Sequence, residues 1–237
     1  MNDIVNSAVT KRAGLFEATV QKLFTRSADV LEIVDLGNSF RLITLGGDAL
    51  RGVDWTPGDK IQVQLGGWVQ RTYTPIDWDG VQGRTRILVC LHAPGPGTAW
   101  ARRLQTGDPC IFFGPRKSIQ AGRSTIVMGD ETSLGLAAAL SGLALLEVAS
   151  PAATQPVLDH LGLHAVQLTA RIDSDRHFAE LETRIAALLM IDPAAEIVLT
   201  GRASTIQHMT RFLKQTGMGS GRRHSKAYWA SGKTGLD

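Results

Sequence analysis

The sequence predicts an antiparallel β-barrel followed by a doubly wound α/β domain. Two patterns lead there. Up to Gly114-Pro115-Arg116, short alternating runs are separated by turn residues; beyond it, apolar strand-like runs alternate with helix-like ones. Many short strands with regular turns favour a closed or nearly closed sheet, and alternating strands and helices favour a parallel one. The division is drawn between residues 1–116 and 117–237.

In the first part, strands are expected at Phe16–Leu23, Val30–Leu36, Phe40–Leu45, Lys60–Leu65, Val69–Thr74, Arg84–Leu91 and Cys110–Phe113. Gly46-Gly47-Asp48, Pro57-Gly58-Asp59, Asp79-Gly80 and Gly107-Asp108 supply the turns. One helix is expected from Thr98, a residue type suited to an N-cap, to Gln105. In the second part, strands are expected at Ser124–Met128, Ala144–Ala149, Ala165–Ala170 and Glu196–Thr200, with Ala227–Trp229 as an added edge. Helices fall at Glu131–Leu140, Ala152–Leu161, Arg176–Met190 and Ser204–Gln215. Phe178, Leu181, Ile185, Leu188 and Leu189 share one face of the third.

Arg71-Thr72-Tyr73-Thr74 joins a fixed cation, an aromatic face and a hydroxyl on a strand. Side chains alternate along a strand, so Arg71 and Tyr73 point one way and Thr72 and Thr74 the other. These are the parts a flavin needs. A guanidinium pairs with phosphate, a ring packs on the isoalloxazine, and a hydroxyl hydrogen-bonds a ring nitrogen. A second motif, His92-Ala-Pro-Gly95-Pro96-Gly97-Thr98-Ala99-Trp100-Ala101, joins an apolar strand to a helix. Glycine admits close backbone approach, and the open amides of a first helical turn suit a diphosphate.

The ordered set of motifs resembles the siderophore-interacting proteins, the FAD-dependent ferric-siderophore reductases of the ferredoxin–NADP reductase superfamily. Arg71-Thr-Tyr-Thr74 is similar to the flavin motif. His92 followed by Gly95-Pro-Gly-Thr-Ala-Trp-Ala101 is similar to the family's Gly-Pro-Ala-Ser-x-Trp-Ala segment. Phe113-Gly-Pro-Arg116, Gly129-Asp-Glu-Thr132 and Tyr228-Trp229 with Gly232 match later segments in the same order.

The resemblance implies a six-stranded-type flavin-binding barrel. FAD would be held by Arg71, Tyr73 and Thr74, its diphosphate at Gly97 and Thr98, with His92 and Trp100 close by. Tyr73 and Thr74 would stand at the reacting ring. It also implies reduced nicotinamide, NADPH or NADH, near Asp130 and Thr132; Arg171, ending a strand, is a candidate for an adenosine 2′-phosphate. Reduced ferredoxin is a further possible donor. A flavin takes two electrons together and returns them singly, which suits Fe(III). The substrate side would use Arg116, Lys226 and Lys233. No metal ligands are needed, since the iron arrives chelated. Departures stand at Pro75-Ile76, at Ser133-Leu-Gly135 where the family often has Ala-Leu-Pro, and at Arg202 where it often has an acid.

Composition agrees with a soluble globular chain: 43% hydrophobic and 20% charged residues, with a net charge of +3. No apolar run approaches the ~20 residues of a membrane span, and no signal peptide is expected at Met1–Ser7. Cys90 and Cys110 lie in apolar runs and read as buried thiols, so a cytoplasmic location is expected. The basic end from Lys214 to Lys233 lacks the aromatic interleaving of a single-strand binder, and nucleic acid is not expected as a partner. Two other readings stay open: a flavin reductase serving a protein or small acceptor, and a ferric-chelate-binding module without turnover.

Overall fold

The computed structural model describes residues 25–91, 94–122 and 124–232; the predicted strand Phe16–Leu23, His92 and Lys233 lie outside them. The first sheet holds β1 (Thr25–Leu36), β2 (Phe40–Gly46), β3 (Lys60–Gly66), β4 (Val69–Tyr73), β5 (Pro75–Asp79), β6 (Arg84–Cys90) and β7 (Pro109–Arg116). Their order is β4-β3-β7-β1-β2-β6-β5, and the paired neighbours are antiparallel. β5 is a strand that the turn-and-alternation reading did not include. It continues β4 after a break at Thr74, so the two edges of the sheet are halves of one stretch of chain. Seven segments thus make the six-stranded type of barrel expected.

Alternation builds the barrel core. Ile43 and Leu45 of β2, Ile61 and Val63 of β3, Ile87 and Val89 of β6, and Phe112 of β7 turn inward and are buried. Cys110 belongs to the same core, and burial pushes its thiol up to about 12. Helix α1 (Pro96–Arg103) closes one end with Trp100, Ala101 and the following Leu104. Its start corrects the expected N-cap at Thr98: Gly95 is the N-cap, and Thr98 lies inside the first turn. Proline lacks the amide hydrogen that a helix leaves unpaired at its first position, and its fixed φ already suits the helix.

The second sheet holds β8 (Thr125–Asp130), β9 (Leu143–Val148), β10 (Val166–Ala170), β11 (Glu196–Arg202) and β12 (Arg223–Trp229), all parallel, in the order β10-β9-β8-β11-β12. Between strands run α2 (Leu134–Leu140), α3 (Pro151–Leu161), α4 (Phe178–Ile191) and α5 (Ala203–Thr216). The sheet is covered on both faces, so the period of two sorts its side chains into two cores. Val127, Ala144, Leu146 and Val198 pack with α2 and α3, while Ile126, Met128, Leu145, Ile197 and Leu199 pack with α4 and α5.

Leu36, Phe40, Leu42 and Ile76 of the first sheet share one core with Leu134, Leu136, Ala137 and Ala138. The outside of the barrel therefore docks on α2 through apolar surface. Strand order reverses between β8 and β11, which places the crevice of the parallel sheet at their carboxyl ends. That end faces the break at Thr74: a Cβ on Gly135 would lie 3.1 Å from the Thr74 carbonyl oxygen.

Candidate functional site

A cleft of about 400 Å³ opens where the two sheets meet. Its walls include Arg71, Thr72, Tyr73 and Thr74, then Gly95, Pro96, Gly97 and Thr98, and from the parallel-sheet side Thr132, Gly135, Lys226, Tyr228 and Trp229. Three consecutive strand residues and Thr74 after them line it because β4 is an edge strand, paired only with β3 among the described residues. A ligand lying along an edge meets both faces of the strand and its unpaired backbone groups.

The two faces do different things. Arg71 and Tyr73 stand opposite Val63 and Ile61, whose side chains are in the barrel core. Tyr73 rests on this core, its ring centroid 6.1 Å from that of Trp100. A Cβ on Gly97 would meet the Tyr73 hydroxyl at 3.1 Å and the Arg71 side chain at 3.6 Å. Glycine is what lets the helix start come so near these two side chains. Arg71 donates to the Gln70 carbonyl oxygen at 2.7 Å, and among the described residues it has no carboxylate partner. The other face carries Thr72 and Thr74. The Tyr228 hydroxyl hydrogen-bonds the side chains of Thr74 and Thr200, and burial raises its pKa to about 12.

The cations of the cleft are Lys60, Arg71 and Lys226, and no Asp or Glu is among its described walls. Lys226 donates to the Ser118 hydroxyl at 3.3 Å, reaching from β12 to the segment after β7. Such a lining draws an anionic ligand. A guanidinium without an acid beside it, a helix start cleared of side chains, and an aromatic face next to them fit FAD.

Of the residues singled out in the sequence, Arg71, Tyr73, Thr74, Gly97, Thr98, Thr132 and Lys226 come together on the cleft, with Trp100 behind Tyr73. Arg116 ends β7, exposed, opposite Lys60 but off the cleft wall. Asp130 and Arg171 lie behind it. Arg171 makes a two-pronged ion pair with Glu131, at 2.8 and 3.1 Å, and stacks on Trp229 with its guanidinium carbon 5.7 Å from the ring centroid. Glu131 is itself buried and also accepts the Ala149 amide at 2.5 Å. The arginine read as a phosphate ligand is thus committed to an internal carboxylate. Arg202 is likewise held, 2.8 Å from Asp175. Below them Glu147, fully buried, receives the His177 Nε2 and Thr205 hydroxyl groups at 2.5 Å each.

Sequence reading missed Lys60, Ser118 and Cys90 as cleft residues. Their places follow from strand pairing, and no local pattern marks them. Among the described residues no helix is long and apolar enough to cross a membrane, and no cluster suited to a metal ion occurs.

Asp130 is sealed from solvent and accepts from Trp229 Nε1 at 2.6 Å and from the Thr132 amide at 2.9 Å. Burial, against those hydrogen bonds, raises its pKa to about 6 from 3.8. The folded protein therefore binds the proton more tightly than the unfolded chain, so this contribution is full below the unfolded value and is lost as pH rises through the folded one. Relative to Asp130→Asn, wild-type stability is expected to fall between about pH 4 and about pH 6 and then level off. Urea midpoints of both proteins across that range check it; a constant difference would remove Asp130 as the titrating group.

Comparison with known proteins gives the same picture. Residues 66–119 match the siderophore-interacting FAD-binding domain. That stretch holds the edge strand, the glycine-proline helix start and the Gly-Pro-Arg segment. Across the chain, the fold matches that of the siderophore-interacting protein SipS from Aeromonas hydrophila, with a TM-score of 0.71 and 22% identity over 89% of this chain and 93% of that one. A siderophore utilization protein from T. fusca is similar at a TM-score of 0.68 and 21% identity, over 90% and 95% of the two chains. The ferredoxin-NADP+ reductase from Plasmodium falciparum shares the fold at a TM-score of 0.67 and 10% identity, over 86% and 96%. No curated protein sequence matches. The chain thus shares its fold with these proteins, and the matched segment covers the stretch that walls the cleft.

Proposed function

We propose that the protein binds FAD in this cleft and reduces a ferric siderophore or another ferric chelate, using electrons from NADPH, NADH or reduced ferredoxin. The observation that carries the reading is the meeting of Arg71, Tyr73, Thr74, Gly97 and Thr98 on one cleft without a carboxylate in its described walls. The siderophore-interacting domain matched at residues 66–119 supports the choice of acceptor.

When bound, FAD supplies two-electron uptake and one-electron release, the conversion that links a hydride donor to Fe(III). The protein's part is to hold and orient. Arg71 neutralises the diphosphate with its fork of N–H donors, and the amides at the start of α1 add to it. Tyr73, braced by Trp100, fixes the plane of the ring. Thr74, released from the barrel ladder, offers its hydroxyl to the ring edge, and Tyr228 sets the direction of that hydroxyl. Lys226, with Arg116 and Lys233, draws an anionic chelate toward the opening. Thr132, just past the carboxyl end of β8, borders the side from which a nicotinamide would approach, and the buried Asp130 behind it fixes its amide and hydroxyl.

The test is anaerobic. Protein loaded with FAD is mixed with NADH, NADPH or reduced ferredoxin, and bleaching of the flavin absorption is followed. Ferric siderophore is then added, with cytochrome and quinone as competing acceptors. Rapid return of the absorption with ferric siderophore, and formation of Fe(II), is the expected result. Faster return with cytochrome or quinone would move the assignment to another flavin reductase. Binding of the chelate without reduction by any donor would leave a binding module.

A further inference from the structure

Trp229, the last residue of β12, walls the cleft next to Tyr228, whose hydroxyl bonds Thr74. Its indole is held from behind. Nε1 donates to the Asp130 carboxylate at 2.6 Å, and the Arg171 guanidinium carbon lies 5.7 Å from the ring centroid. Neither Asp130 nor Arg171 is among the described walls of the cleft. The N–H edge and the side toward Arg171 are thus taken up inside the protein, and the cleft meets the rest of the ring.

The group that holds the indole is a costly one. Asp130 is sealed from solvent, where a carboxylate is unfavourable unless its hydrogen bonds are made. Its other oxygen accepts from the Thr132 amide at 2.9 Å and the Thr132 hydroxyl at 2.5 Å. A Cβ on Gly201, where φ is +90°, would lie 2.6 Å from the carboxyl, so glycine is what makes room for it beside β11. One buried acid therefore orients two groups of the cleft wall, Trp229 and Thr132. Both stand at the carboxyl ends of the parallel strands, where such a sheet takes its ligand, and across from the barrel groups that suit FAD. An aromatic face already fixed in place receives a planar ring at little further cost in entropy. We infer that Trp229 is the stacking surface for the nicotinamide ring of the electron donor, and that Asp130 is the positioning residue that sets its indole. This rests on the reading of NADH or NADPH as donor and gives that ring a contact outside the flavin-holding strand.

Calorimetry on the FAD-loaded protein tests it, with the tetrahydro forms of NADH and NADPH, which keep the ring and its amide but cannot give up a hydride. ADP-ribose, which lacks the ring, is the control. Trp229→Ala is expected to weaken binding of the tetrahydro form by about 10-fold, the scale of one stacked ring, and to leave ADP-ribose and FAD binding unchanged. Trp229→Phe, which keeps a flat ring, is expected to retain most of the affinity. Asp130→Asn keeps an oxygen for Thr132 and turns an NH2 group toward the indole N–H. It is expected to weaken the tetrahydro form when made alone and to have no further effect in the Trp229→Phe protein. A Trp229→Ala protein that loses neither ligand, loses both equally, or loses FAD instead would overturn the inference. An Asp130→Asn effect that persists in the Trp229→Phe protein would remove Asp130 from the positioning role. If neither tetrahydro form binds the wild type, the inference falls and the FAD reading stands; if FAD does not bind, both fall.

Discussion

Arg71→Ala is expected to weaken FAD binding about 10- to 100-fold, the range for loss of a hydrogen-bonded charge partner worth about 1.5–3 kcal/mol. The size of the effect follows from the surroundings of the guanidinium. Its recorded protein partner is a backbone carbonyl, and no acid lines the described walls of the cleft. Removal would leave a diphosphate bound there facing helix amides alone. Arg71→Lys is expected to recover part of the loss, because it keeps the charge and gives up the planar fork. Titration followed by flavin fluorescence reads all three proteins. Equal affinity in wild type and Arg71→Ala would release Arg71 from the role, whatever activity the protein has.

Glu131→Ala is expected to destabilise the fold by about 3–5 kcal/mol, the range for breaking one half of a buried ion pair. Glu131 is 4% exposed and the Arg171 side chain 15%, so the orphaned guanidinium would have little water to replace its partner. The Ala149 amide would lose its acceptor as well. Glu131→Leu combined with Arg171→Leu is expected to regain most of that loss, since an apolar pair needs no compensating charge. Urea unfolding measures both. A single variant costing under about 1 kcal/mol would mean that the pair behaves as a surface one.

These two expectations separate two kinds of arginine that look alike in a sequence. Arg71 and Arg171 each sit on or just after a strand, and both read as phosphate ligands. What divides them is the presence of an acid across the fold. Glu131 is 40 residues from Arg171, and only the side-by-side arrangement of β8, β9 and β10 brings them together. No local pattern announces such a pair.

The cleft itself was half legible. Arg71, Tyr73, Thr74, Gly97 and Thr98 are close in sequence to one another within two motifs, and strand alternation plus a glycine-rich helix start are local properties. Lys60, Ser118 and Tyr228 come from three separate elements, and their meeting is a matter of strand order and domain docking. The extra strand Pro75–Asp79 escaped for a related reason: Pro75 reads as a breaker, yet at the first residue of an edge strand its missing amide hydrogen costs no ladder bond.

By itself the sequence determined where most of the described strands and helices lie, that the chain passes from an antiparallel to a parallel sheet, and which short segments have the residue types a flavin needs. Those features depend on residues a few positions apart, within reach of periodicity and turn chemistry. The tertiary structure alone decided which charges are spent on internal partners, which face the cleft, and that one edge strand presents both its faces there. Contacts between distant segments exist only after the barrel closes and docks on α2, because burial and charge pairing are set by what the fold brings near.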